Sequence, residues 1–73
     1  MHVAMNASMK ESIAGRLRAR RVELDWTQQE LAAKAKMRQS SISEIESGKY
    51  APTIDTLFRL AAAMKCKVAD LLQ

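Results

Sequence analysis

One stretch near the middle of the chain carries closely spaced polar side chains that suit hydrogen bonding to another molecule. On a helix they share one face, and they are Gln39, Ser40, Ser43 and Glu44. Their amide, hydroxyl and carboxylate groups match the donors and acceptors that base pairs of double-stranded DNA present in the major groove. Gln39 can pair with adenine through two hydrogen bonds, and Glu44 can accept one from cytosine. For Glu44, a solvated charge that repels wrong sites is an equal alternative.

Two short predicted helices position this face. The run Thr27-Gln28-Gln29-Glu30 fits a capping box, so the first of them begins there and extends to about Ala35. The second runs from about Gln39 to Glu46, and Gly48 ends it in a left-handed conformation. The short connection makes the two helices cross steeply, and the small side chain of Ala32 allows a close approach. Periodicity alone leaves open that both are ordinary surface helices of a bundle.

Three further helices complete a predicted all-α fold with five helices. The run Ser8-Met9-Lys10-Glu11 fits a capping box for a helix that ends near Glu23. Its predicted outward positions are Arg16, Arg18 and Arg20. Thr53 caps the fourth helix, whose predicted inward residues are Ile54, Leu57, Leu60, Ala61 and Met64. A short fifth helix, about Val68 to Leu72, closes the core. We expect residues 1–7 to form a flexible leader and residues 8–73 the folded domain.

The charge balance favours an anionic partner, and the composition gives little support to other functions. Twelve Lys and Arg against eight Asp and Glu give a formal charge of +4, which suits nucleic acid. The single histidine, His2, and the single cysteine, Cys66, form no metal-binding cluster, and no glycine-rich phosphate loop occurs. No apolar run is long enough to cross a bilayer. We therefore expect a cytoplasmic protein that is not an enzyme and holds no cofactor or metal.

The two central helices closely resemble the helix-turn-helix of the phage repressor and Cro family, also called the XRE family. The residues that carry the resemblance are Thr27-Gln28-Gln29-Glu30-Leu31-Ala32, Ala35, Gln39 through Ile45, and Glu46-Ser47-Gly48-Lys49. The spacing of Leu57 through Leu72 matches the last two helices of that family. The resemblance covers about Ile13 to Leu72. It implies a five-helix repressor-like domain that binds operator DNA, usually as a two-fold dimer.

The resemblance also implies roles for single residues. Gln39, Ser40, Ser43 and Glu44 match the positions that read bases. The positions expected to face the DNA backbone are Thr27, Gln28, Ser47, Lys49 and Tyr50. Gln28 stands where the family uses a glutamine to touch a phosphate, at a helix N-terminus that itself attracts anions. Lys34 and Lys36 are interpreted as solvated or steering charges.

An ion pair between Arg21 and Glu46 is a further implication of the resemblance. In the family, an arginine and a glutamate at these positions tie the first helix to the recognition helix. Glu46 follows Ile42 and Ile45 on the inward side, and a buried carboxylate needs a charged partner. The alternative is that Arg21 belongs to a solvated basic run and that Glu46 faces solvent.

Two kinds of departure from the family pattern stand out. Lys36 and Lys65 replace glycines in the turns before the third and fifth helices, and a left-handed lysine costs roughly 1 kcal/mol. Arg38 replaces the usual Ser or Thr that caps the third helix, which forfeits about 1 kcal/mol and places a cation at the positive helix end. A nearby phosphate reverses that penalty, so we expect Arg38 to contact DNA. The alternative is a solvent-facing arginine with water capping the helix.

Two classes of function remain. The first is a transcriptional regulator that acts through DNA alone, such as a prophage repressor, a Cro-like protein or a restriction-modification controller. The second is an antitoxin that binds a toxin and represses its own operon. An antitoxin needs an additional surface or tail, and the sequence ends at Gln73, so we expect the first class. We also expect a homodimer with its contact on the fourth and fifth helices, where Phe58 and Ala62 exceed the needs of one core face.

Overall fold

Five helices span the described part of the chain, which is residues 7–72 of the computed structural model, with side chains described from residue 9. They are α1 (Ala7–Glu23), α2 (Gln28–Ala35), α3 (Gln39–Glu46), α4 (Ile54–Ala63) and α5 (Val68–Leu72). No strand occurs within this range. The predicted all-α, five-helix fold is confirmed.

Side-chain caps begin two of the helices as predicted. At α2, the Thr27 hydroxyl accepts a hydrogen bond from the Glu30 N–H at 3.0 Å, and the Glu30 carboxylate accepts one from the Thr27 N–H at 2.8 Å. At α4, the Thr53 hydroxyl oxygen accepts from the Thr56 N–H at 3.2 Å. These bonds satisfy N–H groups that have no acceptor within the helix. They fix where α2 and α4 begin.

A single apolar core joins all five helices. Its buried members are Ile13, Leu17, Leu31, Ala32, Ala35, Ile42, Ile45, Leu57, Leu60, Ala61, Met64 and Leu71. Full burial of a large aliphatic side chain contributes roughly 1.5–3 kcal/mol each, and this burial is the main term that holds the helices together. Within the core, α3 packs mainly against α1 and α2. The back of α3 is therefore covered while its front stays open.

Two sequence-based predictions about side-chain direction are wrong. Ile54, predicted to point inward, is 58% exposed, because the buried face of α4 begins only one turn later, at Leu57. Arg20, predicted to point outward, is half-buried, and its guanidinium donates to the Met64 carbonyl at 3.0 Å. That carbonyl lies at the end of α4, where the helix supplies no donor. A flexible arginine on α1 reaches it from the outer side.

The N-terminal predictions fall partly outside the described residues. Ala7 is the first residue of α1, so the helix takes in the last position of the predicted leader. Residues 1–6 and the side chain of Ser8, which was predicted to cap this helix, lie outside the description. No helix within residues 7–72 is both long and apolar enough to cross a membrane.

Four residues adopt left-handed backbone conformations in the connections between helices. Gly48, Lys36 and Lys65 do so with φ of 76°, 57° and 54°, as the sequence predicts. Asp25, between α1 and α2, does so with φ of 63°, and no residue pattern indicated it. At Lys36 the N–H bonds to the carbonyl of Ala33, which closes α2 and turns the chain toward α3.

Candidate nucleic-acid interface

The α3 helix turns one face to the core and the other to solvent. Its buried side chains are Ile42, Ile45 and Glu46. The opposite side carries the four residues predicted to read bases, of which all but the half-buried Glu44 are exposed. This outward surface, named here the reading face, consists of Gln39, Ser40, Ser43 and Glu44. The structure thus places all four on one open side of a helix whose other side is fully packed.

A buried ion pair holds the C-terminal end of α3. Glu46 is 2% exposed, and its two carboxylate oxygens accept hydrogen bonds from Arg21 Nε at 2.6 Å and Arg21 Nη2 at 2.9 Å. The third guanidinium nitrogen of Arg21 donates to the Trp26 carbonyl at 2.7 Å. The hydrogen bonds to Glu46 raise the pKa of Arg21 above its ordinary value. The structure therefore brings together the two residues that the sequence paired, and ties α1, the α1–α2 connection and α3 at one point.

Two further side chains join this ion pair. Gln28, at the start of α2, donates its amide Nε2 to Glu46 Oε1 at 3.1 Å. Arg18, one turn before Arg21 on α1, donates to the backbone carbonyl of Glu46 at 2.9 Å and stays 58% exposed. We name Arg18, Arg21, Gln28 and Glu46 the polar cluster. The cluster connects the N-terminus of α2 to the C-terminus of α3 and carries one positive charge in excess.

The N-terminal end of α3 lacks any such support. The backbone carbonyl of Arg38 accepts from the Ile42 N–H at 3.3 Å, which begins the helix, but the Arg38 side chain caps nothing and is exposed. An uncapped N-terminus leaves N–H groups without acceptors and a positive end of the helix dipole. A guanidinium at this position adds to that positive potential. The arrangement suits an anion that approaches from outside.

The residues after α3 interact with one another. Lys49 Nζ lies 3.6 Å from Glu44 Oε2, and the Ser47 hydroxyl donates to the Glu44 carbonyl at 2.9 Å. An exposed ion pair of this kind contributes little, so Lys49 is able to exchange Glu44 for a phosphate at small cost. Tyr50 is exposed beside them. At the start of α2, Thr27 uses its hydroxyl oxygen in the capping box, which leaves the hydroxyl hydrogen free for an outside acceptor.

Comparison with known proteins settles the family. Residues 17–71, which include the reading face and the whole polar cluster, match the model of the helix-turn-helix family HTH_3. The chain belongs to this family. It is 34% identical over 56 residues to an uncharacterized HTH-type transcriptional regulator from Archaeoglobus fulgidus, a match that covers 77% of this chain and 80% of that protein. The helix-turn-helix consists of α2, α3 and the turn between them.

Two solved structures share the fold. An HTH_3 family transcriptional regulator from Vibrio cholerae has a TM-score of 0.86 at 23% identity, over 89% of this chain and 36% of that one. The present chain therefore spans about a third of that protein. The restriction-modification controller protein C.AhdI from Aeromonas hydrophila has a TM-score of 0.84 at 22% identity, over 88% and 97% of the two chains. The family is one of non-enzymatic DNA-binding regulators.

Three side chains near the helix-turn-helix have contacts that sequence reasoning missed. Arg18 was assigned to solvent, although it is one turn from Arg21 and so shares its side of α1. Lys34, also interpreted as solvated, lies over the Trp26 ring with its Nζ 4.9 Å from the ring centre. Gln28 was expected at a phosphate, and its bond to Glu46 depends on how α2 and α3 meet. Only the spacing of Arg18 and Arg21 offered a signal in advance.

Proposed function

We propose that this protein is a sequence-specific regulator of transcription that binds double-stranded operator DNA and reads half-sites in the major groove with α3. The observation that carries the proposal is the contrast between the two sides of α3. One side is buried and hydrogen-bonded to two other helices, and the other exposes short polar side chains and no large apolar one. A rigid helix with a polar open face is what major-groove readout requires.

The reading face supplies the base contacts in this proposal. Gln39 and Ser40 stand at the N-terminal end of α3, the end that enters the groove first in this class of motif. Gln39 suits the N6 and N7 atoms of adenine, and Ser43 accepts or donates as the site demands. Glu44 becomes available once Lys49 exchanges it for a phosphate. It then either accepts a hydrogen bond from cytosine N4 or disfavours incorrect sites by charge repulsion.

In the same proposal, side chains around α2 and α3 contact the phosphates of the DNA backbone. The expected phosphate contacts are Thr27, Gln28, Arg38, Ser47, Lys49 and Tyr50. Gln28 fits this role even while it holds Glu46, because an amide nitrogen carries two hydrogens and the second stays available. Each phosphate neutralised by a cation adds about −0.9 to the slope of log affinity against log salt. Operator binding should therefore weaken steeply as salt rises.

Repression by occupancy of the operator is the regulatory mode we propose, and it places the protein in the cytoplasm with the DNA. One α3 reads too few base pairs to find a single site in a genome, so we propose a two-fold homodimer on half-sites about one helical turn apart. An exposed apolar stripe on α4, formed by Ile54, Phe58 and Ala62, supports a second copy of this chain as its occupant. Phe58 is the largest member of the stripe and is 62% exposed, and contiguous exposed apolar residues mark protein–protein contacts more often than single ones do.

Selection of bound sequences from a random DNA pool tests the proposed function. The expected result is a two-fold symmetric site whose half-sites lie about one helical turn apart. A pool that yields no enriched sequence contradicts specific recognition. Enriched sites without two-fold symmetry contradict the dimer.

The dimer surface has its own test. Phe58→Asp should convert the protein to a monomer in analytical ultracentrifugation and weaken operator binding. Val22→Asp is the matched control, since Val22 is 58% exposed but lies on α1. Operator binding that survives Phe58→Asp unchanged removes α4 from the interface.

A further inference from the structure

A second basic surface lies away from α3. It is an open cleft of about 660 Å³ between α1 and the connection from α4 to α5. Its charged lining consists of four cations, Arg16, Arg20, Lys65 and Lys67, and two carboxylates, Glu23 and Asp70. We name it the basic cleft. A third of the Lys and Arg residues of the chain line it.

The two carboxylates of the basic cleft already accept hydrogen bonds from the protein. Three of the four cations have no such partner within residues 9–72. Glu23 accepts from Arg20 Nη1 at 3.0 Å, and Asp70 accepts from the backbone N–H of Lys67 at 2.9 Å. Within residues 9–72, the side chains of Arg16, Lys65 and Lys67 form no hydrogen bond or ion pair. The carboxylates of the cleft are thus engaged within the protein while three exposed cations have no partner in the described part of the chain, and such an excess of positive charge attracts an anion.

Arg20 contributes a hydrogen-bonded guanidinium to the cleft. It donates to the Met64 carbonyl and to Glu23, and its Nε is buried without an acceptor. Cys66 also lines the cleft, and burial raises the pKa of its thiol. The raised pKa disfavours the thiolate, which would add a negative charge to the cleft.

The basic cleft and the polar cluster use different sides of α1. Arg16 and Arg20 lie one turn apart on α1, whereas Arg18 and Arg21 of the polar cluster lie about 100–160° away from them around the same helix at 100° per residue. None of the four cations of the cleft is among the expected phosphate contacts. The charges of the cleft are therefore not accounted for by the proposed operator contacts.

We propose that the basic cleft binds a polyvalent phosphate-bearing anion at the same time as α3 engages DNA. Several cations with no internal partner, around one guanidinium that is already fixed, match a ligand that carries more than one negative charge. Two sources share this chemistry, a free small phosphate compound and the backbone of a second DNA segment. The inference does not depend on which sequence α3 reads.

Tripolyphosphate is the probe for the experiment, and amide chemical shifts in NMR spectra are the readout. Titration should move the amide signals of Lys65, Cys66 and Lys67 more than those of α3. Lys65→Gln should weaken binding about three- to fivefold, the loss expected for one exposed ion pair. Lys36→Gln is the matched control, because Lys36 is also an exposed left-handed lysine without a side-chain partner, and it lies in the turn between α2 and α3 and does not line the cleft. It should leave this binding unchanged.

Several results separate the outcomes. Equal weakening by Lys65→Gln and Lys36→Gln, or shifts confined to α3, overturns the basic cleft as a site. A duplex without an operator is then added at the same phosphate concentration. If it moves the same three amide signals as strongly, the ligand is the backbone of a second DNA segment. If it does not, the ligand is a free phosphate compound. Operator binding by Lys65→Gln should equal that of the unsubstituted protein. A loss there places the cleft in the operator interface and contradicts the proposal, whereas a failure of operator selection leaves this result untouched.

Discussion

The two ends of α3 are built in opposite ways. At the C-terminal end, Glu46 is buried and receives hydrogen bonds from Arg21 and Gln28, while Arg18 binds its backbone carbonyl. At the N-terminal end, Arg38 caps nothing and faces solvent. One end therefore meets its hydrogen-bonding needs within the protein, and the other leaves them open. The difference indicates that the fold fixes the direction of α3 at its rear and offers its front to a ligand.

The polar cluster fixes the orientation of α3, and this role differs from a contribution to net stability. A buried ion pair loses much of its attraction to desolvation, so apolar residues of similar volume often replace it without loss. Its value here is geometric, since three guanidinium nitrogens of one arginine fix the relative positions of α1, the α1–α2 connection and α3. The predictions that follow test each end of α3 in turn.

The largest effect is expected at the ion pair. Arg21→Met or Glu46→Leu alone should lower the free energy of unfolding by about 3–5 kcal/mol, because each removes the main partner of a charge in a buried position. The double variant should lose much less, since neither charge remains. Denaturant unfolding of the four proteins measures the cycle. Single effects that simply add in the double variant show that the two side chains do not interact.

A smaller loss is expected at Gln28. Gln28→Leu removes one donor from the Glu46 carboxylate and should cost about 1.5 kcal/mol, the value of a hydrogen bond to a charged group. Gln29→Leu is the control, because Gln29 is the next residue on α2, is exposed and has no part in the cluster. It should change stability by less than about 0.5 kcal/mol. Equal effects of both substitutions place Gln28 outside the network that holds α3.

The smallest change in stability is expected at the front of α3, with a gain in place of a loss. Arg38→Ser supplies the missing cap and should stabilise the fold by about 1 kcal/mol. The same substitution should weaken operator binding and reduce the salt slope by about 0.9, because one phosphate contact is lost. Urea unfolding and DNA titrations at several salt concentrations measure the two effects. A variant that gains both stability and affinity contradicts a phosphate contact at Arg38.

The sequence predicts the local features of this fold well, whereas the long-range Arg21–Glu46 pair was predicted only through the family resemblance. Thr27, Thr53 and Gly48 mark helix ends through bonds and dihedral angles that involve only near neighbours, so their residue types are sufficient. Ile54 lies on the apolar stripe of α4 yet points to solvent, because periodicity does not show where the core ends. Arg20 failed for the converse reason, because the Met64 carbonyl that it binds lies 44 residues along the chain at the end of α4.

The candidate site divides in the same way. The reading face follows from the 3.6-residue period of α3 and the position of Ile42 and Ile45, so the sequence is enough to place it. The hydrogen bonds of Gln28 and Arg18 to Glu46 join residues 18 and 28 positions apart in the chain. Such contacts depend on the packing of α1, α2 and α3, which only the folded structure shows.

Base-by-base titration of Gln39→Ala tests the central claim most directly, because Gln39 lies on the open face at the unsupported end of α3. The affinities of this variant and the unsubstituted protein are measured for the selected operator and for every single base change in one half-site. We predict a cost of about 1–3 kcal/mol on the best site and a preference that relaxes at one base pair per half-site. A uniform loss across all sequences shows that Gln39 touches only the DNA backbone, and contradicts readout by the open face of α3.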